Sequence, residues 1–214
     1  MTKNKILVLA MATLLVGCAQ PAKKDYSAYK AADPKTILIL PPRNSSPEIA
    51  AGYGAYASTQ SPVAESGYYV LPISLVDEHF KSNGMTVADD IHQIPHAKLH
   101  EVFGADAALY IHVTSYGTRY YVVGSASVVA AEARLVDLRS GTELWSGTAS
   151  ASSEEGKNNQ GGLAVMLVGA LIKQMAGSLS DQSYTVAKTT NFRLLSSKMP
   201  AGLLPGPRSP GYQK

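Results

Sequence analysis

His92, His96 and His100 recur every four residues, a spacing that stacks side chains on one helix face and could present imidazoles to a metal. Pro95 separates the first from the second, so His92 lies off the helix that carries the other two. Two histidines one turn apart, with no third ligand nearby and no HExxH arrangement, make a poor zinc site. A solvated helix face reads better. Gly52-Tyr-Gly-Ala-Tyr-Ala57 spells GxGxxA, but it lies well beyond the nearest predicted strand, whereas a dinucleotide needs the glycines in the first turn after one. Asp89-Asp90 and Glu154-Glu155 are adjacent pairs whose side chains diverge, which suits loop charge better than acid/base work. There is no GxSxG elbow and no phosphate-binding Walker loop. These residues call for no cofactor.

The remaining reactive side chain is Cys18, the one cysteine among 214 residues. Alone it can form neither an internal disulfide nor a structural zinc site. Met1 to Lys5 is a short basic region and Ile6 to Val16 an apolar run closed by Gly17, which is a secretory signal and too short for a spanning helix of roughly 20 residues. Leu15-Val16-Gly17-Cys18 resembles the lipobox of bacterial lipoproteins. That resemblance implies cleavage after residue 17, lipidation of Cys18, and attachment through acyl chains worth about 0.8 kcal/mol per buried methylene. Ala19, in place of Asp, implies sorting to the outer membrane. The formal charge is +3, of which Lys3 and Lys5 supply two, so the rest is too neutral for a nucleic-acid binder.

Positioning these residues requires a folded body. Residues 18–35, with Pro21, Lys23, Lys24, Asp25, Lys30 and Pro34, read as the lipidated cysteine and a tether. The body spans 36–198. Thr36-Ile-Leu-Ile-Leu40 reads as a strand buried on both faces and stopped by Pro41-Pro42. Asn44-Ser45-Ser46 offers an N-cap for a helix from Pro47 to about Ser58. Tyr68 to Leu71 is a strand, Ser74 caps a helix ending at Gly84, and Pro95 starts a helix stopped by Gly104. Ala107 to Thr114, Tyr120 to Val136 and Thr142 to Ala151 are strand-like, with Asp137 to Gly141 as a hairpin turn. Leu163 to Ile172 is apolar throughout and reads as a buried helix, and Ser180 caps a last one. The order implies a single α/β domain: a mixed sheet of about five strands flanked by helices. Residues 199–214, rich in Pro and Gly, read as an irregular C-terminal tail, with Leu203-Leu204 the one sign that it packs as an arm.

Two features point to surfaces. Twelve tyrosines against three phenylalanines suit half-wet positions, where ring and hydroxyl both work. Tyr68, Tyr69, Tyr120 and Tyr121 lie at predicted strand ends and could line an interface. The helix at Leu163, Met166, Leu167 and Ala170 has no polar face, so the domain or a second copy must cover it, and a homodimer follows from the latter.

Gly67-Tyr-Tyr-Val-Leu-Pro72, Phe103-Gly-Ala-Asp-Ala-Ala-Leu-Tyr110, Leu135-Val-Asp-Leu-Arg-Ser-Gly-Thr-Glu-Leu-Trp-Ser-Gly147 and Gly206-Pro-Arg-Ser-Pro210, after the lipobox, resemble the lipoproteins of domain-of-unknown-function family 799. More distantly, the strand-turn-strand around Gly141 is similar to the α/β module shared by the TolB N-terminal domain and the periplasmic part of CsgG. The resemblance implies a non-enzymatic outer-membrane lipoprotein, periplasm-facing, that binds other envelope proteins as an accessory or scaffold of a transport or secretion assembly. The rivals are a metal-dependent envelope hydrolase using His96 and His100, and a periplasmic module that binds a small ligand or peptide.

Overall fold

Thr36–Ile39 is apolar beyond its first residue and forms β1, whose Leu38 enters one core while Ile37 and Ile39 enter another on the opposite side. The computed structural model describes residues 24–120, 125–155 and 182–213. Pro41 and Pro42 cannot donate to a ladder, and the strand resumes beyond them as β2 (Arg43–Asn44), against the same neighbour, β4 (Ala107–Tyr120). The helix expected from Pro47 begins later. The Asn44 side chain accepts from the Ser46 amide and hydroxyl and donates to the Glu48 carbonyl, a local turn that competes with helix entry. The chain then forms α2 (Ala51–Ala57), α3 (Gln60–Glu65) and β3 (Tyr69–Val70), with β3 parallel to β1.

Three helices follow: α4 (Ile73–Ser82), α5 (Ala88–Ile91) and α6 (His96–Phe103). Pro72 leads into α4, so Ser74 lies inside that helix and does not cap it. β4, β5 (Ser125–Asp137) and β6 (Glu143–Ser152) form an antiparallel meander closed by the Asp137 to Gly141 turn, and α7 (Gln182–Leu195) packs back on it. The sheet runs β3-β1-β4-β5-β6, with β2 as a sixth strand beside β4. This is the mixed sheet with flanking helices that the sequence implied.

One face of the sheet is closed. Ile37, Ile39, Leu109, Ile111, Ala133, Leu135 and Trp145 are buried on it with Tyr56, Leu194 and Leu195 from the helices. Two segments expected to be free also close it. Within the expected tether, α1 (Ser27–Ala32) buries Tyr29 to 2% exposure. The expected tail has no regular element but is an arm packed on the body: Leu203 is buried, the Gly206 amide donates to the Ser66 carbonyl, and the Arg208 amide to that of Gly67. The two segments interlock. Tyr68 gives its hydroxyl proton to the Leu204 carbonyl (2.7 Å), so Tyr29 donates to Tyr68 (2.8 Å). Tyr26 donates to the Gly202 carbonyl, and Tyr212 to the Asp33 carboxylate. Tyrosine-for-phenylalanine usage therefore serves buried hydroxyl pairing as well as wet surface.

Candidate functional site

Among the described residues, the opposite face is covered along only half its length. Val76, Phe80, Ile91 and Leu99 of α4 to α6 pack over Leu38, Leu40, Ala108 and Val136. Farther along the strands, β5 alternates buried Ala131, Ala133 and Leu135 with exposed Glu132 and Arg134, as a strand with one solvated face must. The pairing register sets two rows across the sheet: Tyr110, Arg134 and Ser146, then His112, Glu132 and Thr148. They floor a groove of about 670 Å³ whose wall includes Arg43, Asp89 and His92.

Most ionisable groups in the groove are engaged. Arg43 pairs with Asp89 at 2.5 Å, and the Arg134 guanidinium lies 4.3 Å above the Tyr110 ring. His112 Nε2 meets the Ser45 hydroxyl at 2.7 Å. His92 Nε2 reaches the Pro41 carbonyl at 2.9 Å, and its ring stands edge-on to Tyr110. Burial pushes His92 down to about 4, against the opposing effect of the Pro41 bond, so the ring is neutral at pH 7 and Nε2 donates. The Tyr110 hydroxyl, buried beneath Arg134, has no hydrogen-bond partner among the described residues, and burial raises its pKa.

The three histidines of the stripe have separate partners. His100 Nδ1 is 2.8 Å from the Ala105 carbonyl, while His96 faces Tyr110. Among the described residues no group of three His, Cys, Asp or Glu side chains could hold a metal. The GxGxxA segment lies on α2, where a Cβ on Gly54 would come within 2.4 Å of the Tyr116 hydroxyl; that glycine permits close packing.

Of the expected interface tyrosines, Tyr68 is interior at 3% exposure, because its hydroxyl is held by Tyr29 and Leu204, and it cannot meet a partner. Tyr69 is half-exposed beneath Arg208, and Tyr120 is 85% exposed. They do not form one patch: Tyr69 pairs with Thr36 beside the start of β4, and Tyr120 ends that strand. Cys18, Tyr121, Leu163, Met166, Leu167 and Ala170 lie outside the described residues. Sequence reasoning missed the groove; its signals were the alternations Ala131-Glu-Ala-Arg-Leu135 and Trp145-Ser-Gly-Thr148. Among the described residues no helix is long and apolar enough to cross a membrane.

Known proteins place this single α/β domain among bacterial lipoproteins. A family model described as "Putative lipoprotein GNA1162-like" matches residues 24–208, and the chain belongs to that family. It is 48% identical over 209 residues to "Putative lipoprotein NMB1124/NMB1162" of Neisseria meningitidis serogroup B, covering 95% of this chain and 96% of the relative. It is also similar to the crystal structure of lipoprotein GNA1162 from Neisseria meningitidis, at 52% identity and a TM-score of 0.56, over 68% of this chain and 100% of that one.

Proposed function

We propose that this protein is an outer-membrane lipoprotein anchored through Cys18, periplasm-facing, whose α/β domain is a non-enzymatic interaction module accessory to an envelope transport or secretion assembly. The observation that carries the reading is the open half of the sheet face, a polar groove between β2, α5 and the β4 to β6 meander. Arg43 is paired with Asp89, Arg134 is stacked on Tyr110, His92 is committed to a backbone carbonyl, and Glu132 adds an exposed carboxylate in the next row from Arg134. Such a surface suits polar recognition of another protein. Self-association belongs to the same proposal and rests on the apolar sequence around Leu163, Met166, Leu167 and Ala170. Sedimentation of residues 19–214 at about 100 µM, well above micromolar affinity, should give dimers; a monomer there contradicts that part.

The test is fractionation combined with charge reversal. Cys18→Ala should leave the membrane fraction while keeping the wild-type melting temperature. Arg134→Glu with Glu132→Arg should stay membrane-bound and folded yet fail to complement a deletion strain. Full complementation by the groove variant would overturn the recognition role, and carbonate-resistant membrane attachment of Cys18→Ala would overturn the anchor.

A further inference from the structure

The packing of α1 changes where the domain can stand. A free tether of residues 18–35 would let the body roam, but Lys24 is already seated 4.6 Å over the Trp145 ring, and Tyr26 and Tyr29 are bonded into the body. Only six residue steps separate Cys18 from Lys24. At about 3.3 to 3.6 Å per residue fully extended, they reach at most about 22 Å. The attachment point is at one end of the sheet: Trp145 lies near the start of β6, Thr36 begins β1 and Ala107 begins β4, all at the end where α1 and the arm pack. The β4–β5 hairpin runs the other way. Over the 14 residues of β4, at about 3.4 Å each, its far end stands about 40 Å from that start.

We propose that the α1 end of the sheet is a membrane-facing surface, held against the lipid headgroups by the short stem, and that the β4–β5 hairpin with Arg119 and Tyr120 points away from the bilayer. The proposal rests on lipidation of Cys18. The chemistry of the end fits a headgroup layer. Lys30 and Lys35 are exposed and are not ion-paired among the described residues. Of the carboxylates at this end, Asp33 is occupied by the Tyr212 hydroxyl and Asp106 accepts from the Lys35 and Thr36 amides, while Asp25 and Glu143 are exposed. Basic side chains near an anionic lipid surface are attracted to it. The far end carries Tyr120 at 85% exposure and Arg119, which donates to the Ser115 hydroxyl.

The chain has one cysteine, which the anchor consumes, so a single introduced thiol can be labelled uniquely. Ala31→Cys on α1 and Thr118→Cys on the hairpin are exposed positions where substitution leaves the core untouched. Each lipidated full-length variant, carrying a donor dye, is reconstituted into phosphatidylethanolamine and phosphatidylglycerol vesicles doped with a rhodamine lipid, and floated first. Energy transfer from position 31 should exceed that from position 118 by at least about two-fold, as expected for donors separated by most of a strand length. Equal or reversed transfer in floated protein overturns the orientation. Failure to float is a different result, which removes the anchor itself and the proposal with it.

Discussion

The two faces of the sheet are made by the same three long strands and have opposite fates. On one, Ile111, Ala133, Leu135 and Trp145 disappear beneath helices, α1 and the C-terminal arm. On the other, one residue away along each strand, His112, Glu132, Arg134, Ser146 and Thr148 meet solvent in a groove. A period of two is enough to separate a buried face from a solvated one, with register as the deciding variable. Mutations should therefore sort by face.

The arm offers the sharpest test of the closed face. Deleting residues 201–214 uncovers Leu203's site and strips partners from Ser66, Gly67, Tyr68 and the Trp145 indole, which donates to the Ala201 carbonyl at 2.9 Å. Burial of one leucine and several hydrogen bonds together imply a loss of about 4 kcal/mol or more. That corresponds to a melting temperature lower by at least about 8 °C; an unchanged transition would mean the arm is a loose tail after all. Next in size, Leu135→Ala should cost about 2 to 5 kcal/mol by denaturant titration. Glu132→Ala, three residues away, should fall within about 0.5 kcal/mol of wild type. Similar costs for both would abolish the distinction between faces.

Gly67→Ala probes the seam where the arm crosses. Gly67 has φ of +100°, and a Cβ there would sit 2.5 Å from the Ser209 amide nitrogen, so the substitution should cost about 1 to 3 kcal/mol. The smallest effect is a pH dependence on the open side. His92 titrates near 4 in the fold against 6.5 for a free histidine, so the unfolded chain takes up the proton first as pH falls. Stability from burying neutral His92 is present above about 6.5 and is lost progressively between 6.5 and 4. His92→Gln, which keeps a donor for the Pro41 carbonyl, should flatten the stability profile in that window, as urea midpoints at several pH values would reveal.

Much of the scaffold was legible because its signals are local. The apolar run at β1, the Gly104 stop after α6, and the Asp137 to Gly141 turn each act within a few residues. What escaped depends on partners far along the chain. Residues 24–33 lack periodicity, yet Tyr29 finds Tyr68 and Asp33 finds Tyr212, contacts no window of sequence can display. The arm is held in part by its own Gly206 and Arg208 amides donating to the Ser66 and Gly67 carbonyls, backbone contacts that composition does not encode. The groove was half visible, since alternation announces a solvated face, but only the register lines Arg134 up with Tyr110 and Glu132 with His112. Tyr68 misled because a tyrosine at a strand end carries the same letter whether its hydroxyl faces water or a buried carbonyl.

Photo-crosslinking in intact cells tests most directly whether the open face binds another envelope protein. A benzoylphenylalanine at Thr148 on the groove floor and one at Glu78 on α4, both exposed or nearly so, would be irradiated in otherwise wild-type protein. The groove position should trap a discrete envelope protein that Arg134→Glu abolishes, while position 78 traps none. The same adduct from both positions, or one insensitive to Arg134→Glu, would contradict the assignment of the groove as the recognition surface.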